Sequence, residues 1–232
     1  MPKKQKISIT KDGPYLVSGN IPLAKEMSIV GSEDQPETWQ KGKEYPSQES
    51  YALCRCGQSK NKPFCDGMHI KNNFKGTETA VLGSYSKQAT TLSGAKLDLD
   101  DLPELCSAAR FCHLAGGTWN NVDNSDDPQA KQMAIQTAGN CPSGRLTVRD
   151  KKTGQPIEPK FTPAIGVIED VQAKTSGPLW AKGGIELESA NGSKYEVRNR
   201  LTLCRCGQSK NKPFCDGSHL GCEFNDGDDS LK

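Results

Sequence analysis

The feature that most constrains this chain is a fifteen-residue stretch that occurs twice without a single change. "LCRCGQSKNKPFCDG" stands at 53–67 and again at 203–217, and in each copy a variable residue and a histidine follow. The flanks repeat more loosely, since "GPYLVSGNIPL" at 13–23 corresponds to "GPLWAKGGIEL" at 177–187. Both flanks predict a Gly-Pro turn, a short strand, a glycine turn and a second strand. The chain therefore contains two copies of one small β-rich unit that ends in a cysteine loop.

Composition limits the kind of protein that these units can form. Hydrophobic residues make up 34% of the 232 residues and aromatic residues 6%, which is too few for one large apolar core. We therefore expect small modules that are held together partly by something other than apolar burial. The net charge of +2 indicates no nucleic-acid partner. No apolar run approaches the eighteen or so residues that cross a bilayer, and no signal core follows the first lysines. These features predict a cytoplasmic protein without a membrane partner.

The ten cysteines cluster with the three histidines of the chain, which are His69, His113 and His219. In a reducing compartment this pattern favours metal binding over a disulfide framework. The spacing in each loop is C-x-C-x8-C-x3-H, which gives two sets of four candidate ligands. The first set is Cys54, Cys56, Cys65 and His69; the second is Cys204, Cys206, Cys215 and His219.

The spacing also predicts how each set converges. Cys65 and His69 are four residues apart, so one helical turn places them on the same face. Asp66 and Gly67 stand where that helix would begin. Three thiolates and one imidazole suit a tetrahedral zinc site. They equally suit an iron–sulfur cluster with two cysteines on one iron and a cysteine and a histidine on the other. Buried structural cysteines are a third interpretation.

The second copy continues as "CRCGQSKNKPFCDGSH" and resembles the CDGSH signature, C-x-C-x2-S-x3-P-x-C-D-G-S-H, of the mitoNEET (NEET) family. The first copy departs at one position, where Met68 replaces serine. The resemblance implies a [2Fe-2S] cluster in each loop, bound by three cysteines and one histidine. It also implies a β-rich fold in which two units pack side by side. Because this chain carries both units, it is similar to tandem members, which implies a monomer with an internal pseudo-dimer.

The segment at about 95–160 differs from both repeats. "SDDPQAKQMAIQTAGN" predicts a helix that Asp127 caps, that has Pro128 in its first turn and that ends at Gly139. "CPSGRLTV" predicts a Cys-Pro turn that leads into a strand.

The cysteines of this segment are Cys106, Cys112 and Cys141. A bacterial ferredoxin run has a further cysteine where this chain has Ala109. The segment therefore resembles divergent single-cluster ferredoxins, including the three-cysteine type, which implies a [3Fe-4S] cluster or a [4Fe-4S] cluster with one non-cysteine ligand. The alternatives are a fold that has lost its cofactor and a site in which His113 is the fourth ligand. We interpret Cys222 as a free thiol.

Together these patterns predict an α+β protein with two CDGSH units in an internal pseudo-dimer and an inserted ferredoxin-like segment. The predicted domains are 1–85, 95–160 and 165–224, and "NDGDDSLK" at the C-terminus is expected to be disordered. A rim of cations is predicted around the two loops, as an alternative to an ordinary solvated surface; it consists of Arg55, Lys60, Lys62, Arg205, Lys210 and Lys212.

The predicted function is electron transfer with redox proteins as partners. The alternatives are a carrier that donates [2Fe-2S] clusters to apo-proteins, a redox- or pH-sensing module, and a zinc-stabilised interaction module. We predict no enzymatic activity, because no nucleophile–base pair, phosphate loop or dinucleotide fingerprint is present.

Overall fold

The computed structural model describes residues 4–231, and its architecture is mixed α/β, with mostly sheets and few helices. The strands are β1 (Lys6–Ile9), β2 (Tyr15–Ser18), β3 (Leu23–Val30), β4 (Pro36–Glu44), β5 (Ser50–Leu53), β6 (Thr90–Ser93), β7 (Leu97–Asp101), β8 (Leu146–Asp150), β9 (Ala164–Asp170), β10 (Thr175–Lys182), β11 (Glu186–Glu188) and β12 (Arg200–Leu203). The α-helices are α1 (Met68–Lys71), α2 (Tyr85–Gln88), α3 (Thr118–Asp123), α4 (Pro128–Gly139) and α5 (Ser218–Gly221). Short 3-10 helices lie at Pro103–Leu105, Phe111–Gly116 and Asp229–Leu231.

The two repeats exchange strands. One sheet has the order β11-β1-β2-β5 and the other has the order β12-β10-β9-β3-β4. Strand β11 of the second repeat runs parallel to β1 of the first, with Ile7 opposite Leu187. Reciprocally, β3 of the first repeat runs parallel to β9 in the second sheet, with Leu23 opposite Ile165. Each sheet therefore contains strands from both repeats.

The exchanged strands enclose one common apolar core. It contains residues from both repeats, including Val17, Leu53, Leu179 and Leu203. Alternation along the strands puts these side chains on the inner faces, because successive residues of a strand point to opposite sides of the sheet. Full burial of each such side chain stabilises the fold by about 1.5–3 kcal/mol. The repeats are therefore held together by shared burial.

The middle segment forms its own small layer. Strands β6, β7 and β8 make a three-stranded antiparallel sheet, and its apolar residues pack against those of α3 and α4. The predicted helix is confirmed as α4, and the carboxylate of Asp127 accepts hydrogen bonds from the amides of Gln129 at 2.9 Å and Ala130 at 2.8 Å. The strand predicted after the Cys-Pro turn is confirmed as β8.

The first repeat carries a longer hairpin than the second. Tyr15 and Leu179 correspond at an offset of 164 residues, whereas Cys54 and Cys204 correspond at 150, so the first repeat has 14 more residues between these points. The extra residues extend β3 and β4. The hairpin reaches the middle segment, where the Trp39 indole nitrogen donates to the Asn140 carbonyl at 3.0 Å. This hairpin fixes the middle segment against the second repeat.

Two predictions about local structure are wrong. In the second repeat Gly177 and Pro178 form no turn; they lie within β10, at a shift in the register with β9. The C-terminal residues are ordered rather than disordered, because Asp226 pairs with Arg205 and the Leu231 side chain is buried. Lys232 lies outside the described residues. Within residues 4–231, no helix has the length and apolar character needed to cross a membrane.

Candidate metal centres

The two cysteine loops have the same local structure. In the first loop the amide of Cys54 donates to the carbonyl of Pro63 at 2.8 Å, and in the second the amide of Cys204 donates to Pro213 at 2.8 Å. Each of these prolines follows a cis peptide bond. An identical sequence has therefore folded into an identical backbone in two different places.

Polar residues of the repeated stretch hold this backbone. The Ser59 hydroxyl donates to the Phe64 carbonyl at 2.6 Å and accepts from the Asn61 amide at 3.0 Å. The Asp66 carboxylate accepts from the amides of Lys60 at 2.8 Å and Met68 at 3.0 Å. The second loop repeats all four bonds. The predicted helix start is confirmed, because Gly67 is the N-cap of α1 and Asp66 accepts from the first helical amide, while Cys65 precedes the helix.

Within each loop the predicted ligands lie in two pairs. The sulfur atoms of Cys54 and Cys56 are 3.8 Å apart, and the Cys65 sulfur is 3.4 Å from Nδ1 of His69. The equivalent distances in the second loop are 3.7 Å between Cys204 and Cys206 and 3.4 Å between Cys215 and His219. The two pairs interact electrostatically, because a charge on Cys204 contributes to raising the pKa of Cys215, after burial.

The two thiols of each cysteine–cysteine pair have different pKa values. The hydrogen bond between the Cys54 and Cys56 sulfurs lowers the pKa of Cys54, and backbone amides of the loop add to this effect. The same bond raises the pKa of Cys56. Cys204 and Cys206 show the same two shifts for the same reason. One sulfur of each pair is thus predisposed to the thiolate form that binds metal.

The histidines differ although their loops are identical. His219 is only 4% exposed, whereas His69 is half-buried. Burial, together with the nearby Arg205 guanidinium, lowers the pKa of His219 to about 4. A low pKa keeps the imidazole neutral, which is the form that binds metal.

The two loops meet each other through their backbones. A Cβ atom placed on Gly57 would lie 2.5 Å from the carbonyl oxygen of Cys206. One placed on Gly207 would lie 2.7 Å from that of Cys56. The approach therefore requires glycine on both sides. Sequence reasoning also missed Tyr15, whose buried hydroxyl donates to the Cys204 carbonyl at 2.8 Å and so links the first repeat to the second loop.

The predicted cationic rim is wrong for its two arginines. Arg55 is buried, and its guanidinium donates to the carbonyls of Thr10 and Gly76. Arg205 is also buried, and it pairs with Glu169 and Asp226. Both side chains therefore point into the fold. Among the lysines of the predicted rim, Lys60 and Lys210 are exposed.

The three cysteines of the middle segment come together around one cavity of about 20 Å³. Cys106, Cys112 and Cys141 all line it. Burial raises the pKa of Cys112 to about 12, and charges on Cys141 and Cys106 add to the shift. Two residues of the intervening loop, Ala108 (φ 57°) and Arg110 (φ 64°), have left-handed backbone conformations. Such strain at non-glycine residues is common in loops that clamp ligands.

The other predicted residues stand apart. His113 is exposed and does not line this cavity, so the structure gives it no place as a fourth ligand. Cys222 is an exposed free thiol, as predicted, and none of the ten cysteines forms a disulfide. Among residues 4–231, no three His, Cys, Asp or Glu side chains have the geometry of a site for a single metal ion.

Comparison with known families identifies the repeats and the segment between them. Residues 12–70 and 176–220 match the family described as iron-binding zinc finger, CDGSH type. Residues 92–151 match the family described as divergent 4Fe-4S mono-cluster. The comparisons with curated proteins and with solved structures gave no match. These matches support an iron–sulfur protein with two CDGSH-type regions and a segment between them that resembles a divergent 4Fe-4S mono-cluster unit.

Proposed function

We propose that this protein binds one [2Fe-2S] cluster in each CDGSH loop and that it transfers electrons. The ligands are Cys54, Cys56, Cys65 and His69 in the first loop and Cys204, Cys206, Cys215 and His219 in the second. The observation that carries the proposal is the pairing of these side chains at 3.4–3.8 Å, with the two pairs close enough to influence each other's charge. A two-iron cluster needs two protein ligands on each iron, and this donor set supplies them.

The middle segment would hold a further cluster through Cys106, Cys112 and Cys141. Three cysteines that line one cavity and influence one another's pKa supply three candidate ligands for a [3Fe-4S] cluster, or for a [4Fe-4S] cluster whose fourth iron has a ligand other than cysteine. Arg145 also lines this cavity, and its guanidinium, which pairs with Asp101, interacts with Cys106. A hydrogen bond from this guanidinium would stabilise the thiolate of Cys106.

The exchange of strands supports an α+β pseudo-dimer within one chain, with the 92–151 segment as a ferredoxin-like insertion. Reciprocal pairing of β1 with β11 and of β3 with β9 relates the two repeats, as does the contact of Gly57 with Cys206 and of Gly207 with Cys56. In this arrangement the chain would function as a monomer, with two metal sites on one shared core.

When bound, the clusters supply one-electron redox chemistry. The chain's own residues orient the ligands and exclude water. In each loop the imidazole turns Nδ1 toward the cysteine sulfur, and the amide of Gly67 or Gly217 points to that same sulfur at 3.5 Å. Amides that donate to sulfur stabilise negative charge there, and such bonds tune the potential of a cluster.

Electron transfer is favoured over cluster delivery because the middle segment would add a third redox centre. A protein that only delivers [2Fe-2S] clusters has little use for such a centre. The half-exposed His69 favours delivery as the second candidate, since a neutral imidazole is the ligand that acid or a competing protein removes most readily. We propose redox proteins, or cluster-accepting apo-proteins, as the partners. We also propose that the protein is not an enzyme and that it works in the cytoplasm.

The first test is metal and sulfide analysis, with EPR, on protein purified without oxygen. We expect a coloured protein with about four irons per chain, or about seven if the middle segment holds a [3Fe-4S] cluster. Cys56→Ser and Cys206→Ser should each lower the iron content by about two, and Cys141→Ser should remove the signal of the middle cluster. Cys222→Ser is the matched control and should change nothing. A colourless, iron-free wild-type protein would contradict the proposal.

A second measurement separates the two candidate functions. The loaded protein is incubated with an apo-ferredoxin under anaerobic conditions and then separated from it. Retention of both CDGSH clusters supports electron transfer, whereas movement of the colour to the acceptor supports delivery.

A further inference from the structure

The two CDGSH loops are identical, but the residues that follow them carry opposite charge. "MHIKNNFKG" at 68–76 contains two lysines and no acid, whereas "SHLGCEFND" at 218–226 contains two acids and no cation. Lys71 and Lys75 stand where the second repeat has Gly221 and Asn225. All four positions are exposed. The edge next to His69 therefore presents positive charge that the edge next to His219 lacks.

The second loop is also covered. Residues 104–110, which we call the cap, lie against it. The side-chain amide of Asn211 donates to the Glu104 carbonyl at 2.8 Å. A Cβ on Gly217 would lie 3.4 Å from the Ala108 side chain. The guanidinium of Arg110 fixes the far end of the cap through a 2.8 Å ion pair with Asp170 of β9.

The cap leaves little room beside His219. The cavity next to this histidine measures about 10 Å³ and is shared with Ser107 and Ala109 of the cap. That volume holds about one water molecule. A partner protein therefore cannot reach the second histidine while the cap is in place.

Within residues 4–231 the first loop has no counterpart of the cap, although the turn at Gly13 lies beside His69, where an added Cβ would be 3.6 Å from Nε2. A Cβ placed on Gly67, the counterpart of Gly217, would meet nothing within 4 Å. Ile70, directly after His69, is 72% exposed. An exposed aliphatic side chain with lysines beside it has the composition of a small docking patch, with an apolar centre and a polar rim.

We propose that the protein meets its partner only at the first CDGSH loop, through a surface formed by Ile70, Lys60, Lys71 and Lys75, and that this surface fits an acidic protein face. The inference rests on the proposed binding of clusters in both loops. Opposite charges steer such an encounter and orient the partner. The second loop is an internal site, closed by the cap.

Access is tested on the loaded full-length protein with two iron chelators in the presence of dithionite. The anionic probe is bathophenanthroline disulfonate and the neutral probe is 2,2′-bipyridine. We expect the iron of the two loops to leave in two phases, a fast phase from the first loop and a slow phase from the second, and iron of the middle cluster is identified as the phase that Cys141→Ser removes. His69→Cys, which replaces the open imidazole by a thiolate, should slow the fast phase, and His219→Cys should leave it unchanged. A single phase, or a fast phase that His219→Cys alone affects, would overturn the proposal.

The charge of the patch is tested with a pair of matched variants. Lys71→Gly with Lys75→Asn gives the first repeat the residues of the second, and Gly221→Lys with Asn225→Lys does the reverse. The first pair should slow fast release to the anionic chelator by roughly threefold or more at low salt, without slowing release to the neutral one. The reverse pair should leave the slow phase slow. Equal effects on both chelators would contradict a role for charge.

The kind of partner is tested by carbodiimide cross-linking to a plant-type ferredoxin as the acidic probe, with cytochrome c as the basic control. We expect bonds from ferredoxin carboxylates to Lys60, Lys71 or Lys75, and their loss in high salt. Cross-links at Lys210 or Lys212 instead, or none above the control, would refute the proposal. The iron content is measured before the chelator and cross-linking experiments. A protein that contains no iron contradicts the proposed binding of clusters, whereas a protein that contains iron but fails these experiments contradicts only the docking proposal.

Discussion

The two CDGSH loops share fifteen residues and one backbone conformation, yet they have different environments. Cys65 and His69 are half-buried, whereas Cys215 and His219 are buried. The difference comes from residues outside the fifteen-residue stretch. The middle segment lies over the second loop, and the longer β3–β4 hairpin of the first repeat holds that segment in place. A local motif thus determines the candidate ligands and their local geometry, while distant parts of the chain determine how far solvent reaches them.

The largest difference between the repeats is expected at the start of the strand that leads into each loop. Arg200 is buried and donates to the carbonyls of Ala138, Gly139, Cys141 and Leu146 and to the Glu158 carboxylate. Its counterpart is the exposed Ser50. Arg200→Met should lower the free energy of unfolding by about 3–5 kcal/mol, because these acceptors lose their donor. Ser50→Ala should change it by less than about 0.5 kcal/mol.

Denaturant unfolding monitored by tryptophan fluorescence measures both values. Similar losses in the two variants would show that Arg200 does not join the second repeat to the middle segment.

The second largest difference between the two loops is expected in the pH at which each loses its cluster. A proton competes with iron for the histidine nitrogen, and burial lowers the pKa of His219 to about 4. We therefore expect visible absorbance to fall in two steps as the pH drops below neutral, with the first loop losing its cluster at the higher pH. His69→Cys should abolish the first step and His219→Cys the second. The variant with both changes should resist acid and have a lower reduction potential. Bleaching of this double variant at the wild-type pH would show that the histidines are not the weak ligands.

The lowered pKa of His219 should also make the stability of the apo-protein depend on pH. Between about pH 4 and 6.5 the unfolded chain binds a proton at His219 that the folded chain does not bind. The free energy of unfolding should therefore fall as the pH drops through this window. His219→Gln should reduce this slope when unfolding is measured at several pH values. An unchanged slope would exclude His219 as its source.

The smallest effect is expected from the contact between the second loop and the cap. Asn211→Ala removes the hydrogen bond to the Glu104 carbonyl and should cost about 1 kcal/mol. Asn61→Ala, at the same position of the first loop, should cost less. Hydrogen exchange of residues 104–110 should speed up in the first variant alone. Equal protection of the cap in both variants would show that this bond does not hold it.

Much of this site could be predicted from local sequence. The spacing of the cysteines and histidines places each set of ligands, because a strand end and a following helical turn are short-range structures that the fifteen residues specify themselves. The same holds for α4, where Asp127 and Pro128 define the start. Predictions failed where a long-range partner decides. Arg55 and Arg205 were expected at the surface, but distant carbonyls and carboxylates draw them into the fold. The C-terminal residues were expected to be disordered, yet Asp226 is held by Arg205.

The sequence by itself determined the candidate ligands of this protein: two quartets of three cysteines and one histidine, a third group of three cysteines, and the family that the repeats match. Ligand identity depends on residue type and short spacing, which the chain carries locally. Only the tertiary structure decided that the repeats exchange strands, that Cys106, Cys112 and Cys141 line one cavity, and that one histidine is buried while its counterpart is half-buried. Burial depends on which distant segments pack together, and two identical stretches of sequence cannot encode that difference.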